Sequence, residues 1–295
     1  MATQSPARAI DAVSIRRAVP EDAPRCGDIC YEAFHRINAD HGFACEIPGA
    51  EAARGLLTRM FSHPGLECFV AEVEDRIVGS NCVDLRGPVA GIGPITVDPK
   101  AQSRGVGRAL MNAVLDSAHR RQAAGIRLVQ AAFNTVSMSL YASMGFEARE
   151  PLAVMNGPAI GQRMEGYTVR RATASDIDEC SRLCRQVHGH DRAGELADLI
   201  KEGSAVVCEA RGHITAYAST LGFFGHAVAE TNLDLQALIA AAGSFAGAGM
   251  LVPIRNSVLF QWCLAHGLRV VEPMTLMTIG LYNEPRGAWL PSILC

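Results

Sequence analysis

The sequence predicts an α/β fold in which a mixed central sheet is flanked by helices, laid down twice in tandem. Three observations predict it. An apolar, β-branched run from Ile92 to Val97 reads as a buried strand. Through V-D-P-K-A-Q-S-R-G-V-G-R-A (Val97 to Ala109) it feeds a helix on which Val106, Ala109, Leu110, Ala113, Val114 and Ser117 recur at three- and four-residue spacing. Strand-like and helix-like stretches alternate on either side of that turn, and the landmarks of the first half return in the second.

The repeat is read from four places in order. Ile15-Arg16-Arg17-Ala18 with Asp22, Cys26 and Cys30 returns as Val169-Arg170-Arg171-Ala172 with Asp176, Cys180 and Cys184 at the same offsets. Ala71-Glu72 is echoed by Cys208-Glu209, and the Arg76 to Gly79 turn-strand by His213 to Ala216. Asn134 to Gly145-Phe146 returns as Asn256 to Gly267-Leu268, each followed by Glu-Pro (Glu150-Pro151, Glu272-Pro273) and closed by Met155 and Met277. The copies differ in that the Gly-x-Gly turn is missing from the second, and Cys263 stands where the first has Tyr141. The expected division is a cofactor-binding domain at 1–155, a linker at 156–166 inside a Gly- and Pro-rich stretch from Arg149 to Gly166, and a degenerate domain at 167–295.

Element by element, Ser14 to Ala18 reads as a strand and Glu21 to Asn38 as a helix with an acidic start. A loop around Asp40 to Gly49 leads to a helix from Ala50 to Phe61. Glu67–Glu72 and Ile77–Leu85 pair as a hairpin across Glu74-Asp75, and Gly91 to Val97 follows as one strand. The helix after the glycines is expected to run to Gly125, a suitable residue just past a helix end. Arg127–Phe133 is then a strand, Val136–Met144 a short helix and Gly145–Met155 a closing strand.

The turn carries the chemistry. Gly105 and Gly107 let the backbone approach a ligand, and first-turn N–H groups without helical partners make an anion site there. Arg104, Arg108 and Lys100 oppose the helix dipole unless an anion lies among them. A dinucleotide-binding turn fits poorly, because Leu110 stands where a third small residue is needed and no acidic residue closes a second strand about twenty positions on. With Gln102-x-x-Gly105-x-Gly107 after a strand, and Asn134 followed by Tyr141 and Gly145-Phe146, the chain resembles the GNAT acetyltransferase superfamily over roughly Ile15 to Met155.

The resemblance implies two GNAT-like domains, the second degenerate, and acetyl-CoA as the cofactor. Its pyrophosphate would lie on the backbone of Gln102, Ser103, Arg104, Gly105, Val106, Gly107 and Arg108, with Ile95 to Val97 beside the pantetheine arm. A backbone N–H near Val97 would then face the developing oxyanion, and Tyr141 would be the general acid that meets the departing thiolate. Tyr141 could instead pack its ring under the sheet. Asn134 would bond the cofactor arm, cap the helix that begins nearby, or do both.

An alkyl ammonium with pKa about 10.4 needs help to become a nucleophile at neutral pH. Asp84, Glu32, His35, His41 and Glu46 flank the acceptor cleft in the family resembled, and the carboxylate of Cys295 ends an apolar tail, A-W-L-P-S-I-L-C. The residues do not choose among them. Tyr31, Phe34, His35, Asn38, Asp40, His41, Phe43 and Glu46 give the cleft loop a mixed aromatic and acidic character that suits a cationic or aromatic amine of modest size, free or on a peptide.

A net charge of −3 over 295 residues gives no reason to expect a nucleic-acid or membrane partner. No signal-peptide core or long apolar span is visible, so a cytoplasmic protein is expected, with a homodimer possible. The ten cysteines are expected to sit reduced in cores, with no metal site, Cys26/Cys30 and Cys180/Cys184 each on one helical face. Acetyl-CoA-dependent N-acetylation by direct attack is the leading expectation. Use of another acyl-CoA, or non-catalytic acyl-CoA sensing, is the alternative.

Overall fold

The computed structural model of the protein describes residues 13–102 and 105–294. Ser103, Arg104 and Cys295 lie outside the described residues, so the expectations placed on them are not followed further. The first repeat runs β1 (Ser14–Arg17), α1 (Ala23–Asp40), α2 (Ala50–Ser62), β2 (Leu66–Val73), β3 (Arg76–Asp84), β4 (Val89–Ile92), β5 (Thr96–Val97), α3 (Val106–Arg120), β6 (Gly125–Ala131), α4 (Thr135–Ser143) and β7 (Glu147–Asn156). The second runs β8 (Thr168–Arg171), α5 (Ile177–His188), α6 (Ala193–Lys201), β9 (Val206–Ala210), β10 (His213–Ala218), β11 (Ala227–Ala229), α7 (Asn232–Ala241), β12 (Met250–Pro253), α8 (Ser257–Ala265), β13 (Arg269–Gly280) and β14 (Ala288–Leu290).

The sequence repeat has a structural cause at its first landmark. Arg16 grips Asp22 through two bonds of 2.7 and 2.9 Å and reaches Glu72 at 2.8 Å. Arg170 grips Asp176 at 2.8 and 2.9 Å and reaches Glu209 at 2.6 Å. In both copies the Asp also accepts a backbone N–H three residues back, from Val19 and Thr173, and so fixes the turn into the following helix.

Strand pairing ties the repeats together. One sheet has the order β1-β2-β3-β4-β6-β13-β7-β12, with β5 also on β3, and the other has the order β14-β11-β10-β9-β8. The last long strand of the second repeat, β13, therefore lies between β6 and β7 of the first, antiparallel to both. In return β7 pairs with β12 of the second repeat. Each repeat lends a strand to the other.

Cores form on both faces of the front sheet. Val106, Leu110, Met111 and Val114 of α3 bury against Phe69, Val83, Ile126 and Leu128, and Cys26, Cys30, Leu57 and Met60 of α1 and α2 bury against Val70 and Cys82. Cys26 and Cys180 are fully buried thiols pushed up to about 12 by burial, as inert small hydrophobes would be. No helix among the described residues is long and apolar enough to cross a membrane.

Several expectations need correction. Cys68 and Cys82 face each other across β2 and β3 and are joined as a disulfide, so not all ten cysteines are free thiols. The stretch from Ile92 to Val97 is two strands, broken where Gly93 sits at φ 144° and Pro94 has no N–H to give. Helix α3 stops at Arg120, and Gln122 at φ 54° makes the turn. Gly125 instead opens β6, where a Cβ would stand 2.6 Å from the Leu281 carbonyl oxygen.

Candidate active site

The site begins where β4 leaves β6. Their parallel pairing ends at Gly91 opposite Arg127, and the chain then diverges through Gly93-Pro94. The gap left by that divergence cannot be closed by ladder bonds, so it opens as a cleft between Ile92–Ile95 and Leu128–Ala131.

Strand β5 re-pairs with β3 at Ser80–Thr96 and Gly79–Val97, and Asp98 N donates to Val78 O at 2.8 Å. Hydrogen-bonded and non-bonded pairs alternate in an antiparallel ladder, so the Val97 N–H points away from β3 and toward the groove that Val97 lines. The chain then enters α3 through Gly105 at φ 81°, a left-handed conformation that admits glycine readily. Among the described residues no side chain caps this helix tip, so its first-turn N–H groups face the groove.

That groove has a volume of about 480 Å³ and is lined by Ile95, Val97, Gln102, Gly105, Val106, Gly107, Arg108, Asn134 and Tyr141. All the described residues expected to hold the cofactor therefore fall along one surface. Arg108 is steadied by donating to Ser143 Oγ at 2.7 Å. Asn134 Oδ1 accepts from Ser137 N at 3.1 Å, so it does cap α4, while the residue also faces the groove. Tyr141 is buried, its ring edge-on to Phe146 at 6.1 Å. Burial pushes its phenol up to about 12, against a smaller opposing effect of the Ser137 hydroxyl, so it is a protonated donor at neutral pH.

Behind the groove lies a second cavity, of about 120 Å³. The two share Phe34, Ile37, Ile95, Asn134, Ser137 and Tyr141, which places Tyr141 at their junction. The cavity is mostly apolar, and Phe223, Phe224, Met274, Ile293 and Leu294 of the second repeat supply part of its wall. Of the described base candidates only Glu46 reaches it. Glu46 Oε2 accepts from Asn38 Nδ2 at 2.7 Å, and burial pushes the carboxyl above its usual range.

The other candidates are held elsewhere. Asp84 is clamped by the Arg86 guanidinium through Nε at 3.0 Å and faces a different hollow beside Arg127 and Glu195. Glu32, His35 and His41 are exposed, with His35 stacked on Tyr31 at 5.4 Å and His41 lying 5.1 Å from Phe133.

The structure adds a carboxyl that sequence reasoning did not select. Glu272 on β13 is 1% exposed, and neither carboxyl oxygen has a hydrogen-bond partner among the described residues. Burial, with a smaller contribution from Glu46, pushes it up to about 8. The Glu-Pro pair shared by both repeats was the visible signal, but it marks only the repeat until the strand exchange is known.

The equivalent helix tip of the second repeat also borders a groove, of about 420 Å³, lined by Glu230, Thr231, Asn232 and Asn256, but its chemistry is opposite. Thr231 Oγ1 accepts from Asp234 N at 3.3 Å and caps α7. Glu230 and Asp234 put carboxylates there, both bonded by Arg211 at 3.0 and 3.2 Å. Asn232 and Asn256 bond each other at 3.1 and 2.7 Å across the place where Asn134 faces a groove in the first repeat. An anion would meet negative charge and occupied donors.

Residues 31–146 match the acetyltransferase (GNAT) family. The first repeat belongs to that family. The GNAT fold extends over the whole chain in solved structures of low identity. A presumed acetyltransferase from Pyrococcus horikoshii superposes with TM-score 0.73 at 18% identity, covering 97% of each chain. A GCN5-related N-acetyltransferase from Sphaerobacter thermophilus gives 0.59 at 16%, over 92% of this chain and 98% of that one. A tandem GNAT protein of the clavulanic acid biosynthesis pathway gives 0.57 at 14%, over 92% and 100%. No curated protein matches the sequence. The tandem GNAT architecture is therefore a shared fold, and the particulars of the site rest on this chain's own residues.

Proposed function

We propose that the protein is an acetyl-CoA-dependent N-acetyltransferase acting on a primary amine of a small molecule or peptide by direct attack. Residues 1–155 form the catalytic domain, 156–166 the linker and 167–295 a GNAT-like domain without a cofactor site. The observation that carries this reading is the uncapped Gly105 helix tip opening into a groove that ends at Tyr141.

The donor set fits the coenzyme. Free first-turn N–H groups of α3 and the Arg108 side chain suit a diphosphate, and the apolar run of Ile95, Val97 and Leu140 suits a pantetheine arm. When bound, acetyl-CoA supplies a thioester whose carbonyl carbon accepts the amine. The Val97 N–H donates to the carbonyl oxygen as it gains charge, a contribution of about 3 kcal/mol for a well-placed donor. Tyr141 gives its phenolic proton toward the leaving sulfur and recovers one from the nitrogen as the amide forms.

A thiol-release assay with acetyl-, propionyl- and succinyl-CoA against a panel of primary amines tests the reading. Amine-dependent release fastest with acetyl-CoA is expected. Preference for a longer acyl group would redefine the donor, and binding of coenzyme A without release for any pair would leave a sensor.

A further inference from the structure

One side chain in the wall of the acceptor cavity bonds nothing. Gln130 on β6 is 6% exposed and lines the cavity, and neither its Nε2 nor its Oε1 has a partner among the described residues. Thr275 stands opposite it on β13, and no hydrogen bond joins the two side chains. Asn38, in the same wall, gives its amide nitrogen to Phe34 O at 3.0 Å and to Glu46 at 2.7 Å. Its Oδ1 is thereby left as a buried acceptor without a partner among the described residues. The wall thus carries one unused amide donor group and two unused carbonyl oxygens. Most of the rest is apolar, from Phe34, Ile47 and Leu56 of the first repeat and Phe223, Met274 and Leu294 of the second.

This inventory selects among ligands. A plain amine brings only donors and leaves Gln130 Nε2 unpaired. A carboxylate or an ester brings only acceptors and sets oxygen against Gln130 Oε1 and Asn38 Oδ1. A carboxamide brings both: its carbonyl oxygen accepts from Gln130 Nε2, one N–H donates to Gln130 Oε1, and a further N–H of the ligand answers Asn38 Oδ1. Gln130 is absent from the lining of the cofactor groove, which sets it apart from the amides of a pantetheine arm. Size narrows the ligand further. An apolar cavity of roughly 150 Å³ admits a benzene ring, so about 120 Å³ holds a body of one ring or one branched alkyl group.

We propose that the acceptor is a small primary amine carrying a carboxamide on a compact apolar body, and that Gln130 is the residue that recognises the carboxamide. This names a substrate class within the N-acetyltransferase reading above and rests on it. A buried amide without partners is costly to the empty protein, so Gln130 is kept for the ligand at the expense of the fold.

The test compares amides with their methyl esters, which keep the carbonyl and the apolar body but lack the amide N–H. Leucinamide, phenylalaninamide and para-aminomethylbenzamide are each set against the matching ester by calorimetry, on the full chain with coenzyme A present. In at least one pair wild type should bind the amide about tenfold or more tightly than the ester. In Gln130→Met that preference should fall to about twofold or less, with coenzyme A affinity kept. Without any amine, the same variant should resist denaturant at least as well as wild type, since an apolar chain of similar shape replaces the unpaired amide.

Equal binding of amide and ester in all three pairs by wild type overturns the proposal, whatever the variant does. A preference that survives in Gln130→Met overturns it too, and loss of coenzyme A affinity there would make the cofactor the partner of Gln130. If wild type prefers the amides but releases no thiol with any of them, the N-acetyltransferase reading fails and the amide pocket stands. If thiol is released as readily with the esters as with the amides and binding shows no preference, the pocket fails and that reading stands.

Discussion

The tips of α3 and α7 occupy corresponding places in the two repeats and present opposite chemistry. Among the described residues no side chain caps the α3 tip beside its groove of about 480 Å³, while Thr231, Glu230 and Asp234 bring a cap and two carboxylates to the α7 tip beside a groove of about 420 Å³. Four features of the shared scaffold are kept: the Arg-Asp-Glu cluster, the Asn cap, the left-handed glycine at 145 and 267, and the buried glutamate after it. On the proposed reading, an anion site is gained or lost through a few residues at one helix end, with the fold untouched. The two glutamates diverge as well. Glu150 is held by Arg255 at 3.2 Å, whereas Glu272 has no hydrogen-bond partner among the described residues.

The sharpest way to break this contrast is to make the first tip resemble the second. Gly105→Glu forces a side chain onto a φ of 81° and puts a carboxylate at the anion site, so coenzyme A binding by calorimetry should weaken at least about a hundredfold. Normal affinity would remove the phosphate role. Thr231→Ala in the second tip should leave that affinity unchanged and cost about 1 kcal/mol of stability as a lost cap.

Next in size is the pair Tyr141 and Cys263. Tyr141→Phe should lower kcat about a hundredfold with acetyl-CoA affinity retained, while Cys263→Ser should leave turnover as it was. Unchanged turnover in Tyr141→Phe would reduce the tyrosine to packing.

Glu272 should make the protein less stable in alkali. Its folded value of about 8 lies above the ordinary carboxyl value, so the native state binds a proton that the unfolded chain has released. The stability this gives is present below about pH 4.5 and is lost as pH rises through about 8, on the order of 4 kcal/mol across the window. Chemical denaturation should show Glu272→Gln flattening that decline, with Glu150→Gln changing it less because Arg255 compensates.

The smallest effect should be the most symmetric. Asp22→Asn and Asp176→Asn should each cost about 1–2 kcal/mol near neutral pH, since the arginines hold both carboxyls below their usual range. That stability exists above the unfolded carboxyl value and disappears as pH falls through the lowered folded one, so the variants and wild type should converge in strong acid. A clear inequality between the two would show that one repeat leans on the cluster more than the other.

What the sequence revealed was mostly local. The helix face from Val106 to Ser117 and the cap at Asn134 follow from spacing within a few residues, so their side chains could be placed before any contact was known. The early end of α3 escaped because Gly125 answers to a neighbour distant in sequence, Leu281, whereas the break at Gly93-Pro94 is a local Gly-Pro interruption that the apolar run around it masks. The disulfide escaped because it needs the β2–β3 register. Glu46 could not be told from Asp84 without knowing that Arg86 holds one and Asn38 the other. Phe223 and Met274 join the wall of the first repeat's cavity only through the exchange of β7 and β13, which no local pattern encodes.

The insertion of β13 between β6 and β7 has one more consequence. A chain cut after Asn156 would lose the strand that lies on β6 and both strands that flank β7, exposing three rows of unpaired backbone groups that favour aggregation. The half whose helix tip is capped and acidic thus has a structural use apart from chemistry: deleting it would unzip the other half.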